Sequence, residues 1–200
     1  QLVVRAASDI QTLDDLSGHT VSIGAEESGT ERNATQILEF AGMPSSLVAT
    51  KNLDYIEATK ELKAGDIDAF FCTAGLTTTV IDELSNECDI RLIPLTDTVI
   101  SKMLESSLAY TSEVIPAGTY TGQTTDISTI GVKSVLITKA DVSDDTIEQL
   151  TSLLFEKENE ISYSNSLKLE LTYDFATDDI PIPFHDGAKR YYKACGYSTN

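Results

Sequence analysis

Between Thr20 and Leu38 the sequence TVSIGAEESGTERNATQIL passes from a short β-branched run, through a Gly/Ser/Thr loop, directly into a segment with helical spacing. Val21 and Ile23 supply the apolar positions of a strand Thr20–Ile23, and Gly24 and Gly29 permit a tight turn. Ala34, Ile37, Leu38 and Ala41 then recur on one helical face, with Gly42 as the stop signal. A helix that opens at the carboxyl end of a strand also seats anions, because roughly three unpaired amides and the helix macrodipole all favour negative charge there. Ser28-Gly29-Thr30-Glu31 fits the capping box, with Ser28 as cap and Glu31 reaching back to the cap amide. Both readings stand, since a capping hydroxyl can also donate to a carboxylate ligand. No Gly-Lys-Ser/Thr follows and the glycines do not fit G-x-G-x-x-G, which argues against a nucleotide.

The rest of the chain repeats this alternation. Leu2–Arg5 reads as a strand, Ile10–Ser17 as a short helical turn ended by Gly18, and Asp54-Tyr55-Ile56-Glu57 as a second capping box opening a helix that closes at Gly65. Ile67–Cys72 is a buried strand, Gly75–Thr79 another strand-to-helix turn, and Val80, Ile81 and Leu84 the apolar face of the next helix. Ile90–Ile93 is a further strand. The pattern then loosens: Lys102–Leu108 has helical character and Ile115–Gln123 reads as a linker. Ile130–Ile137 is the next, longer strand. Ser143 caps a helix carrying Ile147, Leu150, Leu153 and Leu154, and Ala188, Tyr191, Tyr192 and Cys195 form an apolar stripe on a terminal helix after Pro181-Ile182-Pro183. Strands alternating with helices imply an α/β fold with right-handed crossovers.

At 200 residues the chain is long enough for one large or two small domains with a real core. Its 14 basic and 32 acidic side chains leave a net charge of −18, which argues against nucleic acid or anionic lipid as partner. An anionic ligand would have to be held by local amides in a buried pocket rather than on an open patch. Cys72 lies in an apolar run and reads as an inert core thiol, while a Cys88–Cys195 bridge is left open by the sequence. His19 and His185 lie far apart with no ligand-spaced partners, so no metal and no cofactor are expected. No apolar run approaches the ~20 residues of a membrane span, and there is no secretory leader pattern. Because Gln1–Arg5 starts directly on a strand, the chain is expected to begin inside a longer protein.

Taken in succession, LSGHTVSIGAEESGTERNATQIL, LKAGDIDAFFCTAGLTTTVIDEL, DIRLIPL, IPAGTYTGQ and IPIPFHDGAKRYYKACG resemble the TAXI family of TRAP-transporter solute receptors over essentially the whole chain. The resemblance implies a type II periplasmic-binding fold, in which two α/β lobes joined by crossing strands close on a small ligand. By it, residues 1–8 are a strand of lobe 1 and the hinge, 9–114 are lobe 2, and 115–200 are the return linker and the C-terminal part of lobe 1. A segment before Leu2, absent from this chain, would supply the rest of lobe 1. The resemblance also implies ligand contacts from Ser28, Gly29 and Thr30, from Thr73, Ala74 and Gly75 at a neighbouring strand end, and from Thr119 and Tyr120 as a hydroxyl and an aromatic wall. Glu26 and Glu27 stand where the family usually has glycine or proline-glycine. Two carboxylates beside an anion seat weaken it unless they point to solvent or pair with a cationic group, which favours an amino acid.

The function so implied is an extracytoplasmic receptor that captures a small carboxylate, such as glutamate or an organic acid, and hands it to TRAP membrane permease subunits. Lobe closure is its mechanism and the monomer its expected state. Catalysis is not expected, because no Ser–His–Asp or Cys–His grouping converges on the loops. The alternative is a ligand-sensing domain of a signalling receptor with the same fold.

Overall fold

The computed structural model describes residues 1–156 and 171–199. It divides into two compact units, Gln1–Gly131 and Val132–Asn200. The first unit holds β1 (Leu2–Arg5), a 3-10 turn (Asp14–Leu16), β2 (Thr20–Ser22), α1 (Gly29–Phe40), β3 (Ala49–Lys51), α2 (Tyr55–Ala64), β4 (Ala69–Phe71), α3 (Thr79–Glu87), β5 (Ile90–Leu92) and α4 (Asp97–Ser106). A hairpin of β6 (Tyr110–Ile115) and β7 (Ile127–Val132) follows.

Five strands form one sheet in the order β3-β2-β4-β1-β5. β2 runs parallel to both β3 and β4, whereas β1 is antiparallel to both of its neighbours, β4 and β5. Because side chains alternate across a strand, each central strand feeds two cores. Leu2, Val4, Ala69 and Phe71 face one layer with α1 and α4, while Val3 and Phe70 face the other with α2 and α3. Phe70 is fully buried, and Phe70→Ala is expected to cost about 3–5 kcal/mol.

Local chemistry explains most element ends. Asp54 and Glu57 form the reciprocal capping box at the start of α2, and Gly65 ends that helix with a left-handed φ of 85°. At α1 the Ser28 Oγ accepts from the Glu31 amide at 3.1 Å, as expected. The return half differs: Glu31 Oε2 accepts from the Glu27 amide at 2.6 Å, not from the cap amide, because Glu27 adopts a left-handed φ of 61° and the Ser28 amide is already donated to Ala25.

The first unit runs on past Val114, where the family resemblance ends lobe 2. The reason is apolar: Ile115, Tyr120 and Ile127 are buried in the α2–α3 layer, and the Leu95 amide donates to the Ser128 carbonyl oxygen. The segment read as a linker is an ordered turn. Gln123 Nε2 donates across it to the carbonyls of Ile115, Pro116 and Thr125.

The second unit contains α5 (Asp144–Glu156), α6 (Tyr173–Thr177) and α7 (Asp186–Ala194). Here α5 and α7 pack together so closely that a Cβ on Gly187 would fall 2.2 Å from the Asp144 carbonyl oxygen. Arg190 on α7 pairs with Asp145 and Glu148 on α5, and Phe155 stacks on Tyr173 with ring centroids 4.4 Å apart. The strand expected over Ile130–Ile137 is displaced toward the N-terminus and ends at Val132. Among the described residues no strand pairs with Lys133–Thr138. The stripe on α7 is likewise partial: Tyr192 is buried, but Cys195 is exposed.

Candidate ligand-binding site

Parallel pairing of β2 with β4 places their carboxyl ends side by side, with Val21 opposite Ala69 and Ser22 opposite Phe70. The loops that leave those ends, 23–28 and 72–78, therefore form two adjacent walls at the end of the sheet. This is where an open α/β sheet presents loop amides and helix N-termini to a ligand.

On the first wall, Ser28 caps α1 and spends an oxygen lone pair on the Glu31 amide. The Arg32 amide closes onto the Ser28 carbonyl. The amides of Gly29 and Thr30 keep no internal partner among the described residues. The anion seat thus offers two free amides rather than three, the third being satisfied by the cap itself. Glu26 and Glu27 are exposed, and the Glu31 carboxylate is committed to the Glu27 amide and, through Oε1, to Asn52 Nδ2 at 2.7 Å.

On the second wall lie Thr73, Ala74 and Gly75, all exposed. Asn33 on α1 donates from Nδ2 to Thr73 Oγ1 at 3.3 Å. A stronger tie comes from Tyr55 at the start of α2. Its hydroxyl donates to the Thr73 carbonyl oxygen at 3.0 Å and accepts from the Thr73 amide at 3.2 Å. The same oxygen lies 2.7 Å from Thr30 Oγ1. With the tyrosine proton on Thr73, Thr30 is the donor in that pair. Its hydroxyl proton is therefore used within the protein, and the Thr30 side chain is buried. Burial pushes the pKa of the Tyr55 hydroxyl above its ordinary value, against the hydrogen bond from Thr30. Burial likewise pushes up the adjacent Cys72 thiol, in keeping with an inert core cysteine.

Ser28, Gly29, Thr30 and Thr73–Gly75 are thus brought together. Thr119 and Tyr120 are anchored to other groups. Thr119 Oγ1 donates to the Pro116 carbonyl oxygen at 2.7 Å. The Tyr120 hydroxyl donates to Gln1 Oε1 at 2.7 Å and accepts from the Thr78 amide, while its ring, 3% exposed, packs in the α2–α3 core. Tyr55 is the residue that the sequence reading missed. Its only sequence role is as the residue after a helix cap.

All three cysteines are free thiols. Among the described residues no group of three or more His, Cys, Asp or Glu side chains is placed to hold a metal ion, and no helix is long and apolar enough to cross a membrane.

Sheet order, antiparallel β1 and the paired strand-end loops define a binding-protein-like α/β lobe. The model of the NMT1-like family matches residues 1–196. The chain belongs to that family, in agreement with the resemblance read from its sequence. Similar solved structures include the periplasmic aliphatic sulphonate binding protein SsuA from Escherichia coli, at 17% identity and a TM-score of 0.48, with 82% of this chain and 47% of that chain covered. The alkanesulfonate-binding protein SsuA from Xanthomonas axonopodis pv. citri, bound to MOPS, is 14% identical with a TM-score of 0.48, over 82% and 45% of the two chains. An ancestral arginine-binding protein bound to glutamine is 18% identical with a TM-score of 0.41, over 82% and 55%. The chain spans about half the length of these structures.

Proposed function

We propose that this chain is the ligand-capturing part of a receptor that works outside the cytoplasm, takes up a small carboxylate, and delivers it as a monomer to the permease subunits of a TRAP-type transporter. In this reading residues 9–114 belong to one lobe and residues 115–200 are the return linker and part of the other lobe, although the first compact unit runs on to Gly131. The observation that carries the reading is the family match over residues 1–196. The site supports it: the free amides of Gly29 and Thr30 and the Ser28 hydroxyl are suited to a carboxylate, and Thr73, Ala74 and Gly75 would form the facing wall. Closure of two lobes on the ligand would stabilise the bound state, as in any two-state binding protein.

A thermal-shift screen of the purified chain against L-amino acids, dicarboxylates, keto acids and sugars tests this. The expected result is a saturable rise in Tm for one carboxylate class that grows with concentration, as linkage requires. A rise with sugars alone, or with none of the carboxylates, overturns the carboxylate assignment.

A further inference from the structure

Tyr55 occupies the first position of α2, fixed there by the Asp54–Glu57 capping box. From that fixed point its hydroxyl reaches two segments far apart in sequence, Thr30 on α1 and Thr73 after β4. A tyrosine hydroxyl has one proton and two acceptor sites, and these three contacts use them all. Tyr55 is therefore not free to bind a ligand itself. We propose that Tyr55 is a positioning residue for the carboxylate site, holding the first turn of α1 and the turn Thr73–Gly75 at one spacing through its hydroxyl. The proposal rests on the site assigned under the proposed function.

Three observations support a positioning role over simple packing. The ring is only half-buried, at the edge of the α2–α3 core, so packing alone does not account for the three contacts of its hydroxyl. The hydroxyl takes both the amide and the carbonyl of Thr73, which fixes the two peptide groups flanking that residue, next to the amides of Ala74 and Gly75, which have no internal partners among the described residues. On the opposite wall it consumes the Thr30 proton, so that what Thr30 has left for an anion is its backbone amide. The second tie between the walls, Asn33 to Thr73, is longer at 3.3 Å and uses side-chain atoms only.

The test uses Tyr55→Phe, Thr30→Val and the double variant in the full chain. Thr30→Val keeps the shape of the side chain that packs against Gly24. Amide hydrogen exchange without ligand is the first readout. In Tyr55→Phe, exchange at Thr73 should speed up about tenfold, the scale of one lost hydrogen bond, while Ala69 and Phe70 in β4 stay unchanged. Calorimetric binding of L-glutamate as probe is the second. Each single variant should weaken binding about tenfold, and the double variant no more than the weaker single, because both remove the same link. A merely structural role would lower Tm without this non-additivity. Unchanged exchange at Thr73, full affinity in Tyr55→Phe, or losses that add in the double variant each overturn the proposal. Absence of L-glutamate binding in the unmodified chain, with the exchange response present, sinks the glutamate assignment and leaves the positioning role supported.

Discussion

Gly24 and Thr30 are packed so closely that a Cβ on Gly24 would lie 2.7 Å from the Thr30 Cβ and 2.8 Å from its methyl carbon. The contact joins the end of β2 to the first turn of α1, across the loop that defines the candidate site. Gly24 also has a φ of +99°, which side-chain-bearing residues rarely adopt. Gly24→Ala is therefore expected to combine backbone strain with overpacking and to destabilise by about 2–4 kcal/mol. Gly42 provides the control. Its φ is +75°, but a Cβ there meets nothing within 4 Å, so Gly42→Ala should carry only the conformational part, about 1–2 kcal/mol. Urea denaturation of both variants checks the difference, and equal losses would deny the Gly24–Thr30 contact its role.

A second constraint holds β1 to the turn that follows it. Arg91 Nη1 donates to the carbonyls of Ser8 and Ile10, at 3.3 and 2.9 Å, and Nη2 donates to that of Ala6 at 2.7 Å. One planar guanidinium thus organises the connection between β1 and the Asp14–Leu16 turn, a geometry that an ammonium group does not reproduce. Arg91→Met is expected to lower stability by about 2–3 kcal/mol, with Arg91→Lys recovering part of it. Denaturant midpoints within experimental error of the parent for both variants would contradict this.

The same connection carries a pH-dependent element. Asp15 Oδ2 accepts from the Gln11 amide at 3.0 Å, the Thr12 amide at 2.8 Å and the Thr12 hydroxyl at 2.9 Å. The Gln11 amide, followed by the Thr12 hydroxyl and amide, holds the Asp15 carboxyl below the usual aspartate range. A carboxylate whose folded pKa is depressed contributes stability above the unfolded pKa and loses it as the pH falls through the folded one. The stability difference between the parent chain and Asp15→Asn should therefore be constant from pH 5 to 7, begin to shrink below about pH 4, and disappear only as the pH falls through the depressed folded pKa. Urea titrations at each pH provide the measurement. A gap that persists undiminished at pH 2 would assign the loss to the amide side chain and not to charge.

How much of this was legible in the sequence follows the range of the interactions. Ser28, the Asp54–Glu57 box and Gly65 act within four residues of themselves, and each was readable from residue type and spacing. β3 was not readable because Ala49, Thr50 and Lys51 form an exposed edge strand with no apolar alternation. The position of β1 between β4 and β5 depends on pairing partners 65 to 89 residues away, which no local pattern encodes. Tyr55 was hidden for the same reason. Its role lies in contacts with Thr30 and Thr73, 25 and 18 residues distant, while its neighbours advertise only a helix start.

The two readings of Ser28, helix cap and carboxylate contact, separate in one substitution. Aspartate caps helices about as well as serine, so Ser28→Asp should preserve the hydrogen bond to the Glu31 amide and leave stability within about 0.5 kcal/mol of the parent. It also places a negative charge beside the free amides of Gly29 and Thr30, where the macrodipole favours it and where a ligand carboxylate would otherwise sit. Competition and like-charge repulsion should then weaken binding of any carboxylate identified in the thermal-shift screen by at least about tenfold. Ser28→Ala supplies the complement: it should lose about 1 kcal/mol of stability with the cap and weaken binding by the value of one hydrogen bond. If Ser28→Asp keeps both stability and carboxylate affinity, Ser28 serves the helix alone and the ligand is held elsewhere.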